Sequence, residues 1–595
     1  MAFTTVPGAG SSDSASYFGT SGVDSISLIK SGSAFVGGRQ GSDSIKYGQG
    51  AFVTSNITVK GGKGVDTLSA LDSTSKLTNS FVNLNADNDA FTLNNVSSST
   101  VFGGAGVDTY AIDQLTSTLL NGNKGNDVIT SSGSSSSSIF GGQGEDALTI
   151  SGVQADSKVS GDNDNDTIAI STSADLSNHT TNGNAGNDSI TVNAITTFTN
   201  SNLNGGAGTD SINGGASTVA LLMSGDAGAD DLTGGSSTDT VNGNAGADSI
   251  DGNAGADTLD GGNSDDIFIF NTGDAAGDTL NGGNGNQTNG DLIRIDTATD
   301  FSTITNGTIL TAAGIENIRM MGAHAGTFLG SHLTGQAINV NDNAAGNATL
   351  DVNVNDGTAV DLTNLTFTAV TGTAFSDTND IIDIDQITGG AHSRITGTTL
   401  SDSITGNTGN DCLVGGTGND TISAGAAGGN DTLVGGVGSD QIDCANGNKI
   451  VDFTAANEAG DTILNFATGG ATDQIEFQDT VFDVANFGAG GFNTKVSVAA
   501  IGNGGAGGTS IAGADLICNH TNSTNYTNAQ IDTLLAAQNG TFDGAVFWLN
   551  DTGGNSTLFY DPDANTDGGG NLTVVASFTG VADANSFALT DFIRN

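Results

Sequence analysis

Between Ser224 and Phe268 the chain reads SGDAGADDL TGGSSTDTV NGNAGADSI DGNAGADTL DGGNSDDIF, five nine-residue units laid end to end. The aspartate in the seventh place of each unit recurs as Asp230, Asp239, Asp248, Asp257 and Asp266, and a large apolar residue follows two places later. A second array, from Thr405 to Ile442, reads TGNTGNDCL, VGGTGNDTI, SAGAAGGNDTL and VGGVGSDQI, with aspartates Asp411, Asp420, Asp431 and Asp440 and two extra residues in its third unit. A unit this short cannot bury its own apolar face, so copies must stack. Glycine supplies the positive φ that a tight turn demands. The residues after each aspartate form a short strand whose aliphatic side chain points to the core. Two units then make one solenoid turn of about 18 residues.

Upstream the same acid-plus-aliphatic pattern continues at a longer beat, at Asp24, Asp43, Asp66, Asp89, Asp108, Asp127, Asp146, Asp166, Asp188 and Asp210, with intervals of 19 to 23 residues. That is one full turn per aspartate. The Ser/Thr/Val-rich stretches between, such as SSSSSIFGG and TSTLLNGN, are candidates for the second strand of each turn. A glycine–serine linker does not keep Asp in register with Ile, Leu or Val for this long. The spacing predicts acidic loops along one edge from about residue 20 to 220, and along both edges over residues 225–270 and 400–445.

Composition narrows the function. With 65 acidic and 14 basic residues the net charge is −51, which repels nucleic acid and opposes an anionic membrane surface. Only 2 prolines among 595 residues exclude collagen, and no apolar heptad supports a coiled coil. High charge with abundant Gly also marks disordered chains. Here hydrophobic residues still reach 36% and hold fixed offsets from Gly and Asp, so the chain is built to fold once its acids are neutralised. Cys412, Cys444 and Cys518 are too few for a disulfide framework and read as small buried residues. The start, MAFTTVPGAGSSDS, shows no basic-then-apolar leader, and no apolar run approaches a membrane span.

The nonapeptides resemble the glycine- and aspartate-rich repeat of the RTX (repeats-in-toxin, hemolysin-type calcium-binding) family, G-G-x-G-x-D-x-U-x, with U a large aliphatic residue. The resemblance implies an all-β fold, a parallel β-roll or β-solenoid whose glycine-rich turns hold multiple Ca²⁺ ions. An irregular cage of carbonyl and carboxylate oxygens suits that ion. It implies ligands at Asp43, Asp66, Asp108, Asp127, Asp146, Asp188, Asp210, Asp230, Asp239, Asp248, Asp257, Asp266, Asp402, Asp411, Asp420, Asp431 and Asp440, with turn glycines Gly104, Gly106, Gly142, Gly144, Gly206, Gly208, Gly416 and Gly418. In the long-beat region the metal partners are consecutive, Asp108 with Asp127 and Asp127 with Asp146; in the arrays they lie two units apart, Asp230 with Asp248 and Asp239 with Asp257. Asp239 follows SST rather than GxGx, lacks a turn glycine and is the poorest site of its array.

The expected organisation is an N-terminal cap (1–20), a solenoid with one calcium edge (21–223), a nonapeptide roll (224–290), a Thr/Asn-rich β segment without the motif (291–400), a second roll (401–450) and a C-terminal closing domain (451–595). The segment 291–400 is either solenoid without metal or a small β-sandwich insertion. GDTILNFATGGATDQIEF (Gly460–Phe477) is similar to the segment that follows the repeats in many exported RTX proteins, and the terminal LTDFIRN resembles the family's uncleaved type I secretion signal. YTNAQIDTLLAAQNG reads as one helix stopped by Gly540. Asp561, Asp563, Asn565 and Asp567 alternate like an EF-hand loop without its glycine, and are as well read as a surface turn.

No catalytic constellation emerges. The histidines His179, His324, His332, His392 and His520 form no H-E-x-x-H, and neither G-x-S-x-G nor a phosphate-cradling loop occurs. Pore-forming RTX toxins place a long apolar helical region before their repeats, whereas here repeats begin almost at once. The expectation is a secreted calcium-dependent structural protein of a bacterial surface, not an enzyme. Its partners would be copies of itself in a sheet or filament, type I secretion machinery and a cell-surface polysaccharide. The alternatives are an adhesin that binds a glycan through residues 291–400, and a secreted polysaccharide-degrading enzyme.

Overall fold

The computed structural model describes residues 2–477 except 6–14, 29–32, 49–52, 172–174, 284, 305–313, 343–346, 356, 368–372, 376–379, 387–390, 426–428, 455–457, 459 and 468–472, and beyond them 495–498, 516–519, 546–551, 555–561, 573–581 and 592–594. The protein is an all-β solenoid of stacked parallel sheets. It divides into two compact units: Met1–Thr299 with Thr303–Asn306 and Ala313–Asn317, and Asp300–Ser302 with Gly307–Ala312 and Ile318–Asn595.

In the first unit every repeat aspartate is followed by a strand, and these strands pair in parallel and in register, Thr109 opposite Val128 and Val128 opposite Ala147. Strands entering the glycine turns form a second sheet, in which Thr100–Ala105, Leu119–Lys124 and Ser138–Gln143 lie side by side. Single apolar columns run through both sheets. Tyr110, Ile129, Leu148, Ile168, Ile190, Ile212, Leu232, Ile250 and Phe268 stack in one, while Val101, Leu120, Ile139 and Val159 belong to the other, and all are buried. Burying one such side chain contributes roughly 1.5–3 kcal/mol, which is why these turns carry a large aliphatic or aromatic residue two places after the aspartate. Phe91 and Tyr110 add a face-to-face stack within their column, with ring centroids 4.4 Å apart.

Where one further strand per turn is expected between motifs, two are found. A third parallel sheet of 8 short strands runs from Val53–Ser55 to Thr197–Thr199; Leu115–Thr116, for example, lies between Thr109–Ile112 and Leu119–Lys124. The long beat is therefore the length of a three-sided turn. After Thr199 this side disappears, and Met223, Val241 and Leu259 stack at the two-unit spacing of the nonapeptides. Residues 1–20 contribute Ala2–Thr5 and Ala15–Phe18, which pair with Asp24–Leu28 and Ala34–Gln40 as part of the stack. Pairing also passes through residues 223 and 290 without a break.

The second unit repeats the architecture. Ala325–Leu329, Thr349–Val354, Ile381–Gln386 and Asp402–Thr405 pair in parallel, so the described part of 325–405 is largely solenoid; Asn339–Asp342 with Thr373–Ala374 is an antiparallel exception. At the far end Asp461–Leu464 pairs with Thr573–Thr579, which turns antiparallel against Asn555–Asp561. Phe592–Arg594, from the terminal LTDFIRN, adds in parallel to Gln474–Phe477. Among the described residues helix is confined to Gly330–Leu333; the helix expected over 526–540 and the loop carrying Asp563, Asn565 and Asp567 lie outside them. No helix there is long and apolar enough to cross a membrane.

Candidate metal-binding corners

The aspartates stand where the second sheet turns into the first, one above another, and are buried. Each aspartate offers Oδ1, and Glu316 its Oε2, to the backbone N–H of the aspartate one turn earlier. The row runs Asp24, Asp43, Asp66, Asp89, Asp108, Asp127, Asp146, Asp166, Asp188, Asp210, Asp230, Asp248, Asp266, Asp291 and Glu316, with N···O distances of 2.6–2.9 Å. Asp108, Asp127 and Asp146 are thus consecutive neighbours on one edge. On the opposite corner a second row links Leu221, Asp239, Asp257 and Asp278. The second unit has two such rows: Asp402, Asp420, Asp440 and Asp461, and Ser393, Asp411 and Asp431.

The other carboxylate oxygen is the chemically telling one. Oδ2 is buried without a hydrogen-bond partner in Asp43, Asp66, Asp89, Asp108, Asp127, Asp146, Asp166, Asp188, Asp210, Asp230, Asp248, Asp257, Asp266 and Asp278. In most of them it lies against the glycine five residues earlier; Asp89 has Leu84 at that place, and a Cβ on Gly273, five before Asp278, would touch nothing. A Cβ on Gly122 would stand 2.0 Å from Asp127 Oδ2 and 2.5 Å from the Gly141 carbonyl oxygen of the next turn. The same pair of oxygens crowds Gly183 (Asp188 Oδ2, Gly205 O) and Gly243 (Asp248 Oδ2, Gly261 O). Where a glycine is so crowded, there is no room for a side chain. The places four and two residues before the acid call for a left-handed backbone, which glycine adopts most readily: Gly104 and Gly106 have φ of 128° and 138°, and Gly142, Gly144, Gly206, Gly208, Gly416 and Gly418 share the range.

That conformation sorts the corners into two kinds. With positive φ four residues before the acid, at Gly104, Asn123, Gly142 or Asn184 among others, the orphaned Oδ2 results. Without it, the amide at that place closes on Oδ2 in three corners, whereas Asp278 keeps an orphaned Oδ2 although Asp274 has no positive φ. Gly235 N–H donates to Asp239 (2.6 Å), Thr398 N–H to Asp402 (2.7 Å) and Asn407 N–H to Asp411 (3.3 Å). Of the expected ligands, these three have an Oδ2 already engaged by the chain's own backbone.

Burial raises Asp127 to about 8, the Asp108 amide opposing the rise and the charges of Asp108 and Asp146 adding to it. Burial likewise lifts Asp89, Asp166 and Asp266 to about 8 and Asp230 to about 7. The protein's own dipoles do not compensate an ionised row, so protons or a cation must. The oxygens on hand are carboxylate Oδ2 and glycine carbonyls in an irregular arrangement, which fits calcium better than octahedral magnesium. Among the described residues no three Asp, Glu, His or Cys side chains converge on one point, so a bound ion would draw its remaining oxygens from the backbone.

Several members of the rows escape the repeat pattern: Asp278, Asp291, Glu316 and Asp461. The signal that finds the three aspartates is a Gly-Asp pair at the start of a strand, as in GDTL, GDLI and GDTI, whereas Glu316, in GIENI, carries no such mark. Also unanticipated is the hydroxyl row at the corner opposite the first acid row. Ser80 N–H donates to Ser99 Oγ (3.1 Å), Thr118 N–H to Ser137 Oγ (3.1 Å) and His179 N–H to Ser201 Oγ (3.0 Å). A neutral oxygen performs there what the carboxylate does elsewhere, without a charge to neutralise.

The family model of the RTX calcium-binding nonapeptide repeat (4 copies) matches residues 196–218, 222–250, 233–268, 242–275, 396–428 and 426–448. No curated protein matches the chain. The corner geometry extends well beyond the matched ranges, since Asp43 through Asp188 build the same row with the same orphaned oxygen.

Proposed function

We propose that this RTX repeat protein is a secreted structural protein of a bacterial surface, a surface-layer subunit or a matrix or filament former that folds and assembles on calcium. The observation that carries the reading is the long row of buried carboxylates whose Oδ2 atoms have no partner in the chain. A fold that leaves those charges uncompensated obtains its stability from the ion that binds them, so metal-binding energy is folding energy. Inside the cell, where free calcium is scarce, such a chain stays unfolded; outside, it folds. Solenoid turns that contact only their neighbours make a stiff scaffold, which suits a material more than a catalyst. The terminal LTDFIRN supplies the export address in this reading, and copies of the chain and a surface polysaccharide are its partners.

The test is electron microscopy of pure protein before and after calcium is added to a chelated sample, beside export of a chain lacking residues 540–595. Ordered sheets or filaments that appear only with calcium, and retention of the shortened chain inside the cell, are the expected results. Dispersed monomers with saturable glycan binding would favour the adhesin, and turnover of a polysaccharide would favour an enzyme.

A further inference from the structure

The row of Ser393, Asp411 and Asp431 continues one turn further, but the residue in register with Asp431 is Lys449. Its backbone keeps the pattern, donating N–H to Asp473 Oδ1 at 2.9 Å. Its side chain is fully buried and turns back on the preceding corner. There Nζ lies 3.0 Å from Asp431 Oδ2 and 2.9 Å from the Gly429 carbonyl oxygen, and it also donates to the carbonyl of Asn446. An ammonium has three donors and no acceptor, and all three are used. Its shell, one carboxylate oxygen and two backbone carbonyls, is drawn from the oxygen classes that calcium takes.

We infer that Lys449 is a tethered cation standing in for calcium at the Asp431 corner, so that this corner closes without metal. Two further observations agree. The Asp431 unit, SAGAAGGNDTL, is the one with two extra residues, so its loop departs from the metal-binding repeat where the lysine arrives. Lys449 and Asp431 are also both fully buried, and a buried charge persists only when paired and hydrogen-bonded. Breaking such a pair is strongly destabilising even where forming it gains little. The second array therefore contains one turn that is held whether or not calcium is present, from which its neighbours can stack once the ion arrives.

The inference rests on the calcium reading of the other corners, and the experiment separates the two. Calcium bound per full-length chain is measured by equilibrium dialysis for the native protein, Asp127→Asn, Asp431→Asn and Lys449→Asp. Asp127→Asn is expected to lose calcium and Asp431→Asn to lose none. Lys449→Asp, which restores a carboxylate to the register, is expected to gain at least one ion. Hydrogen exchange in chelator adds a second readout: amides of 430–437 and 448–453 stay protected in the native chain and lose protection in Lys449→Asp. If Asp431→Asn loses an ion as Asp127→Asn does, the tethered-cation inference is wrong while the calcium reading stands. A native chain that binds no calcium overturns both. Should Lys449→Asp fail to fold, the comparison of the two asparagine variants decides alone.

Discussion

Acid should partly replace calcium. The perturbation is removal of the metal by chelator and gel filtration, followed by thermal unfolding of the stripped protein across a pH series. Asp127 titrates near 3.8 when exposed and at about 8 in the fold, chiefly because it is buried. The folded value lies above the unfolded one, so between about pH 4 and pH 8 the fold holds protons that the unfolded chain has lost, and stability falls as pH rises through that window. Each such proton tilts stability by about 1.4 kcal/mol per pH unit. Neighbours along the row share one field, so protons leave in coupled steps. Three retained protons already give about 4 kcal/mol per unit, which over two units matches the whole stability of an ordinary domain. The expected result by circular dichroism is a metal-free chain that melts highest near pH 4, at the low end of that window, and is largely unfolded near pH 8. Calcium, which needs the carboxylates ionised, should reverse the slope. A metal-free melting temperature that is flat or rising between those pH values would refute the reasoning, because the acids would then be compensated by the chain itself.

Gly122→Ala puts a methyl 2.0 Å from Asp127 Oδ2; it should lower the calcium-loaded melting temperature by several degrees, whereas Gly22→Ala, whose nearest atom is 3.8 Å away, should leave it unchanged. Asp127→Ala removes the acceptor of the Asp108 N–H but not the donor to Asp146, so hydrogen exchange should accelerate at Asp108 while the Asp127 amide stays protected. The loss is of order 1–3 kcal/mol, and turns far along the stack should not register it. Ser137→Ala takes the acceptor from Thr118 N–H on the uncharged corner; its cost, about 1 kcal/mol, should be the same with and without calcium.

What the sequence disclosed and what it hid follow from how tightly each position is constrained. Asp230, Asp248 and Asp266 keep a visible period because in each of their turns one carboxylate, one glycine with no room for a side chain and one large core residue recur at fixed offsets. The third sheet is not legible, because strands as short as Leu115–Thr116 or Ser134–Ser135 are too brief to show alternation. Their only mark is the longer interval between aspartates. The closed corners are not legible: four residues before the acid Asp239 has Gly235 and Asp411 has Asn407, residue types that open corners also carry there, and only the backbone at that place decides. Lys449 was hidden by a sound prior, since a lysine in a Gly/Asn-rich stretch reads as solvated. Only the register with Asp431 reveals it.

One carboxylate per turn makes the first row an electrical object as well as a set of sites. Parallel strands lie about 4.8 Å apart, so the acids of successive turns are spaced by about that distance. In water two unit charges repel by one thermal energy at about 7 Å. Once its protons have left, the row is a line charged more densely than this, and such a line gathers a layer of counterions of its own accord, as a nucleic-acid backbone does. The corner therefore concentrates cations before any ion finds its oxygens, and each calcium that settles releases monovalent ions to the bulk. Its uptake should weaken steeply with added salt. It should also depend on position, because the ends of a charged line condense fewer ions than its middle. The short row of Asp239, Asp257 and Asp278 is nearly all end, whereas Asp127 sits deep within the long one.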